Sequence, residues 1–188
     1  MFNQSIQQYI GIISAVVGLS ASIPYVPSII KGETKPNRVS WGIWTALGFV
    51  LALSYQGIGA ESTSWLAWVF FINPLIVFSL SFKYGVGGWE RLDKICLTGV
   101  VFAVCLWFFS PSWSLGVSIA VDLFALIPTL YKTWHKPKEE NMMGWLIITI
   151  ASVINLFAID SFQLGIVIYP IYAVVSCGSI VFVIFWKK

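Results

Sequence analysis

Long apolar stretches separated by short polar segments run along the whole chain. Seven of them cover residues 7–30, 39–58, 62–83, 94–110, 112–133, 142–160 and 164–186. A helix that crosses a bilayer needs about 20 mostly apolar residues, and each stretch is near that length. The pattern therefore predicts an all-α integral membrane protein with seven transmembrane helices and no domain outside the bilayer.

Composition agrees with this pattern. The 188 residues are 58% hydrophobic and 10% charged, whereas soluble domains carry about 25% charged residues.

Cys96, Cys105 and Cys177 lie within or at the ends of apolar helices, which favours buried apolar thiols over a disulfide framework or metal ligands. The lone His135 lies in a basic loop. We expect no metal, no cofactor and no enzymatic activity, because no phosphate loop or nucleophile–base pair is present.

The basic residues follow the helix pattern. In a seven-helix serpentine, all eleven Lys and Arg fall on one side of the membrane, and the opposite loops carry Glu61 and Asp160. The positive-inside rule places the basic side in the cytoplasm. We therefore expect an outside N-terminus, a cytoplasmic C-terminus and no nucleic-acid partner. The basic groups are Lys31, Lys35 and Arg38, then Lys83, Arg91 and Lys94, then Lys132, Lys136 and Lys138, and finally Lys187 and Lys188.

One ten-residue sequence segment occurs twice in similar form. "PSIIKGETKP" at 27–36 matches "PTLYKTWHKP" at 128–137, and Trp44 and Trp145 continue the register. Helices 1–3 and 5–7 are then two copies, and helix 4 restores the orientation, so the repeats are parallel. This divides the chain into a first repeat with its following loop (1–92), a linker helix (93–111) and a second repeat (112–188).

The two repeated segments also resemble those of a known family of membrane proteins. "IPYVPSIIKGETKPNRVSWGIW" and "FALIPTLYKTWHKPKEENMMGW" resemble the proline-opened basic loop of the SWEET and PQ-loop transporter superfamily. Ser28 and Thr129 replace the glutamine of the superfamily's Pro-Gln pair. The segment "FKYGVGGWERLDKICL" is similar to a group of small bacterial membrane proteins. The resemblance implies three helices, a linker helix and three more, with transport by alternating access.

Five prolines fall inside predicted helices. The resemblance implies hinges or gates at Pro24 and Pro27 in helix 1 and at Pro128 in helix 5. Pro74 and Pro170 lie in helices 3 and 7, whereas helices 2 and 6 lack the prolines of the superfamily's four-proline gate. Kinks without motion are the alternative interpretation.

Polar residues at membrane depth are candidates for the substrate pathway. In SWEET proteins the sugar site takes an aromatic side chain from the second helix of each repeat and Asn from the third. By that resemblance the stacking Trp pair is missing here. Trp41 and Trp44, at the start of helix 2, are interpreted as interface anchors, and capping of the cytoplasmic entrance is the alternative. The alternative is interhelical hydrogen bonding, at about 0.6 kcal/mol each. The candidates are Asn73, Asn155, Ser54, Ser176 and Cys177.

Asp122 is the only carboxylate well inside a predicted helix, and its repeat mate is Ala21. An ionisable group in the membrane is costly and indicates function. Asp122 is therefore a candidate for proton coupling. The alternative is a protonated side chain that is hydrogen-bonded to nearby backbone. Glu139 and Glu140 are interpreted as exposed partners of Lys136 or Lys138.

The leading hypothesis is a transporter of a small polar solute, such as a sugar, an amino acid or a vitamin-like compound, in the bacterial inner membrane. Its partners are that solute and membrane lipid, and no oligomer is required. The alternative is a non-transporting seven-helix receptor or assembly partner of similar fold.

Overall fold

The computed structural model describes residues 4–187, so Lys188 lies outside the described residues. Eight α-helices account for most of this range, a 3₁₀ turn lies at Pro137–Glu139, and no strand is present within it. The seven predicted helices are confirmed, and the first is split in two at Ala21. The helices are α1 Gln4–Ser20, α2 Ser22–Ile30, α3 Arg38–Gly57, α4 Ser64–Tyr84, α5 Arg91–Trp107, α6 Pro111–His135, α7 Met142–Leu156 and α8 Leu164–Lys187.

Four segments are long and apolar enough to cross a membrane. They are Ser5–Ile30, Ser64–Tyr84, Pro111–His135 and Leu164–Lys187, and Met142–Leu156 is a shorter apolar helix. Large apolar side chains also cover the outside of the bundle. Val16 in α1 is 63% exposed and Phe182 in α8 is 62% exposed. Apolar surface on this scale indicates an environment other than water, so the chain is a helical membrane protein.

Local sequence explains where several helices begin and break. Asn37 accepts hydrogen bonds from the backbone of Val39 at the start of α3, and Asn141 accepts one from Gly144 at the start of α7. These Asn side chains satisfy backbone N–H groups that have no partner in the first turn. The break at Ala21 precedes Pro24, which cannot donate to the preceding turn.

The helices form a closed ring of six. In the first half of the chain α4 lies between α1 and α3, and in the second half α8 lies between α6 and α7. Two contacts join the halves. At the N-terminal seam, α1 and α2 (4–30) pack against α7 (142–156); at the linker seam, α3 (38–57) packs against α6 (111–135) and α5 (91–107) covers both. Each half thus repeats one packing order, and α5 lies outside the ring.

The connecting loops gather at two ends. At the first end, Lys132 donates to the carbonyl of Lys35 at 3.2 Å, and the Lys187 ammonium lies 3.7 Å from the Trp134 ring centre. At the other end, the Ser62 backbone donates to Asp160 at 3.0 Å. We call these the basic end and the acidic end. The described Lys and Arg residues therefore gather at one end, as the sequence predicts.

Candidate functional site

A cavity of about 120 Å³ lies between the two halves of the ring. Helices α2, α3 and α4 line it from the first half, and α6, α7 and α8 line it from the second. Trp41 and Gly144, in the first turns of α3 and α7, place one extremity of the cavity at the basic end. The cavity therefore joins the middle of the bundle to that end.

A buried layer separates the cavity from the acidic end. The Tyr55 hydroxyl lies 2.8 Å from both the Thr63 hydroxyl and the Ile166 carbonyl. The rings of Tyr55 and Tyr169 lie 4.7 Å apart between centres. These side chains are all buried. The cavity is closed on this side by packed aromatic rings, and the Tyr55 hydroxyl group is satisfied.

Aromatic rings form one wall of the cavity. Tyr25, Trp41, Trp44 and Trp145 follow one another edge to face, with centres 5.6, 5.1 and 6.4 Å apart. Trp44 and Trp145 are repeat mates, so each half contributes the same tryptophan. The structure thus corrects the interpretation of Trp41 and Trp44 as interface anchors and the expectation that no Trp pair faces the site.

Asn73 brings an amide group to the cavity wall. Its Nδ2 donates to the Gly18 carbonyl at 2.9 Å, next to the break at Ala21. Because a carbonyl only accepts, this bond turns Oδ1 away from Gly18. Oδ1 is buried and has no partner among the described residues. The predicted pathway residue is therefore at the cavity and offers an unsatisfied acceptor.

Asp122 also lines the cavity, from α6. The Tyr172 hydroxyl of α8 donates to its Oδ2 atom, and the Trp44 indole lies close to the carboxylate. Within residues 4–187, the ion pairs involve Glu139 and Glu140 and leave Asp122 without a basic partner. The alternative of a backbone partner is replaced by a side chain, Tyr172, that the sequence did not single out.

Ser176 and Cys177 lie on the α8 side of the cavity and are buried, and their part in a substrate pathway stays a prediction. Ser54 and Asn155 lie elsewhere. Ser54 is 2.8 Å from the Ser114 hydroxyl at the linker seam, and Ser14 donates to Asn155 at 3.1 Å at the N-terminal seam. In this conformation Ser54 and Asn155 hold helices together, so their part in a pathway stays a prediction.

The five prolines differ in their effect on the helices. Only the region of Pro24 coincides with a break, and its carbonyl accepts from Asn141 Nδ2 at 3.1 Å. Pro74, Pro128 and Pro170 lie inside continuous helices, and Pro74 lines the cavity. Pro27 lies inside α2. The hinge and gate roles stay predictions.

Glu140 forms a polar cluster where the cavity meets the basic end. Its carboxylate lies 2.9 Å from Lys132 and accepts from Tyr25 at 3.2 Å and from Trp145 at 3.1 Å. The Glu140 side chain is 6% exposed. The interpretation of Glu140 as an exposed loop partner of Lys136 or Lys138 is wrong, because the partners lie on α2, α6 and α7. For Glu139 it is confirmed, with Lys136 at 3.6 Å.

No family model, curated protein or solved structure matches this chain. The likeness to the SWEET and PQ-loop superfamily therefore stays a proposal, and it rests on residues and helix arrangement.

Proposed function

We propose that the chain is a seven-helix, SWEET-like membrane transporter that moves a small polar solute by alternating access. The supporting observation is the cavity between two halves of equal packing order, where the unsatisfied Asn73 acceptor and Asp122 meet the aromatic wall. A site between two similar bundles is the arrangement in which rocking exposes a solute to either side.

The proposal includes three spans beyond the four long apolar segments. Helix α3 lies between α4 and α6, and α7 lies between α8 and α1, so each has two candidate spans as neighbours. Their 20 and 15 residues correspond to about 30 and 22 Å of helix. Helix α5 packs along α3 and α6. With these three helices the proposal has seven spans, six in the ring and α5 outside it.

Orientation follows from charge. The basic end faces the cytoplasm under the positive-inside rule, which puts the C-terminus inside and the N-terminus outside in a bacterial inner membrane. The cavity then extends toward the cytoplasm, and the Tyr55 layer closes the outer side. Transport requires that layer to part while the basic end closes.

Solute uptake is the direct test. Purified protein in liposomes is given radiolabelled sugars, amino acids, organic cations and vitamin-like compounds, with and without a pH gradient. We expect saturable uptake of one class and none in protein-free liposomes. Absence of uptake for every solute, with a stoichiometric partner in pull-down experiments, would favour the receptor alternative.

Proton coupling through Asp122 is tested in the same liposomes. The Asp122→Asn side chain keeps the shape and an acceptor oxygen for Tyr172 but cannot exchange a proton. We expect uptake by this variant to lose its response to the pH gradient. Full uptake with full pH dependence would show that coupling does not use Asp122.

A further inference from the structure

The cavity wall carries an acidic side chain and no basic one among the described lining residues. Asp122 is the one charged side chain among the described lining residues. The elements that face it contribute Trp44 from α3 and Tyr172 and Cys177 from α8, and none of these is basic. The nearest ion pair, Lys132 with Glu140, is internally balanced at the basic end. With Asp122 ionised, the site therefore presents net negative charge to an entering solute.

Several hydrogen-bond donors along the wall are already engaged. Tyr172 donates to Asp122, and the Tyr25 hydroxyl and Trp145 indole both donate to Glu140. The hydroxyl groups of Ser22 and Ser176 donate to carbonyl groups of their own helices or turns at 2.7 and 3.2 Å. Acceptor capacity is also available. Asn73 Oδ1 has no partner among the described residues, and the Asp122 carboxylate has lone pairs that are not used.

The aromatic rings complete the chemistry. Trp41 and Trp44 meet at 83°, and Trp44 and Trp145 meet at 75°, so their faces form corners rather than a flat stack. Each ring face is electron-rich, and tryptophan attracts a cation over its face most strongly. A sugar needs donors as well as acceptors for its hydroxyl groups, and the Tyr172, Tyr25 and Trp145 donors already bind protein carboxylates.

We propose that the solute is a small organic cation whose ammonium group lies against Asp122 and the tryptophan faces. This inference rests on the proposed transport function and names the solute class. A cavity of about 120 Å³ suits a group of trimethylammonium size. A bound cation and a bound proton each place one positive charge beside Asp122, so both can use this carboxylate.

The test uses a matched pair of probes on the purified chain. Choline is compared with its neutral carbon isostere, in which a tert-butyl group replaces the trimethylammonium group. Binding is followed by quenching of tryptophan fluorescence. We expect choline to bind about tenfold more tightly than the isostere. Equal affinity, or tighter binding of the isostere, would overturn the proposal.

Three variants separate charge from folding. Asp122→Asn is expected to remove the preference for choline, while Asp122→Glu is expected to retain it. Glu139→Gln removes one negative charge outside the cavity and is expected to keep the wild-type preference. If Asp122→Asn binds choline as well as the wild type does, the assignment of Asp122 is wrong. If both Asp122 variants fail to fold, the preference of the wild-type chain and of Glu139→Gln still decides the class.

Binding and uptake measurements together distinguish a wrong solute class from a wrong transport proposal. Choline binding with no uptake of any solute supports a cation site and contradicts transport. Uptake of neutral solutes alone, without inhibition by choline, supports transport and overturns the cation assignment.

Discussion

The two seams between the halves occupy equivalent places in the ring but are built differently. The N-terminal seam combines an apolar cluster that includes Ala15, Ile148 and Ala151 with polar contacts, among them the Glu140 cluster, Asn141 with Pro24, and Asn155 with Ser14. No further helix covers it in the described chain. The linker seam is an apolar cluster under α5. Its buried members are Ile43, Leu47, Val50, Cys96, Val100, Ala103, Val121 and Ala125.

This difference indicates how a ring of two similar halves can move. Apolar packing of three helices loses many small contacts at once when it separates, so we expect α3, α5 and α6 to move as one unit. The N-terminal seam also has apolar packing, but no other described helix covers it from outside, and at the basic end water can replace its polar contacts. We therefore expect the N-terminal seam to part while the linker seam stays closed.

Truncation in the linker seam should have the largest effect. Ile43 is 4% exposed inside the apolar cluster, and Ile43→Ala leaves a cavity there. We expect a loss of about 3 kcal/mol of unfolding free energy, with no dependence on ionic strength. Denaturant unfolding of the purified chain measures it. Ile23, which is 71% exposed, provides the matched control, and Ile23→Ala should change stability little. Equal effects of the two variants would contradict the comparison.

Loss of the Glu140 carboxylate should have a smaller effect that depends on salt. Glu140→Gln removes the ion pair with Lys132 and weakens two hydrogen bonds that bridge to α2 and α7. Because Lys132 is 29% exposed, the expected loss is about 1–2 kcal/mol, below that of a fully buried pair.

The control for Glu140→Gln is its neighbour. Glu139 and Lys136 form a looser pair, 3.6 Å apart, and the Lys136 side chain is 64% exposed. Glu139→Gln should therefore shift the thermal midpoint little, as is usual for surface pairs. Added salt should narrow the gap between wild type and Glu140→Gln, and a gap that persists unchanged at high salt would argue against an electrostatic contribution.

The sequence predicts the helices and the basic end because hydropathy and charge position depend on neither rotation nor packing. It does not predict which face of each helix looks inward, because membrane helices are apolar all round. The sequence therefore favours interface anchoring for Trp41 and Trp44, although the structure places both at the cavity. From the sequence, Glu140 is predicted to be an exposed charged residue in a loop. Because α2, α6 and α7 come together in the fold, its carboxylate accepts hydrogen bonds from all three helices.

The smallest effects are expected at the repeat mates Asn155 and Ser54, both fully buried. Asn155→Ala removes an acceptor for Ser14 and a donor to the Thr63 carbonyl across the N-terminal seam. Two such bonds are worth about 1.2 kcal/mol in a membrane protein. Ser54→Ala should cost about 0.5 kcal/mol, because Ser114 keeps its bond to the Ala103 carbonyl at 2.8 Å. Thermal unfolding of the two variants checks the ranking, and a larger loss for Ser54→Ala would mean that the linker seam, too, depends on its polar contacts.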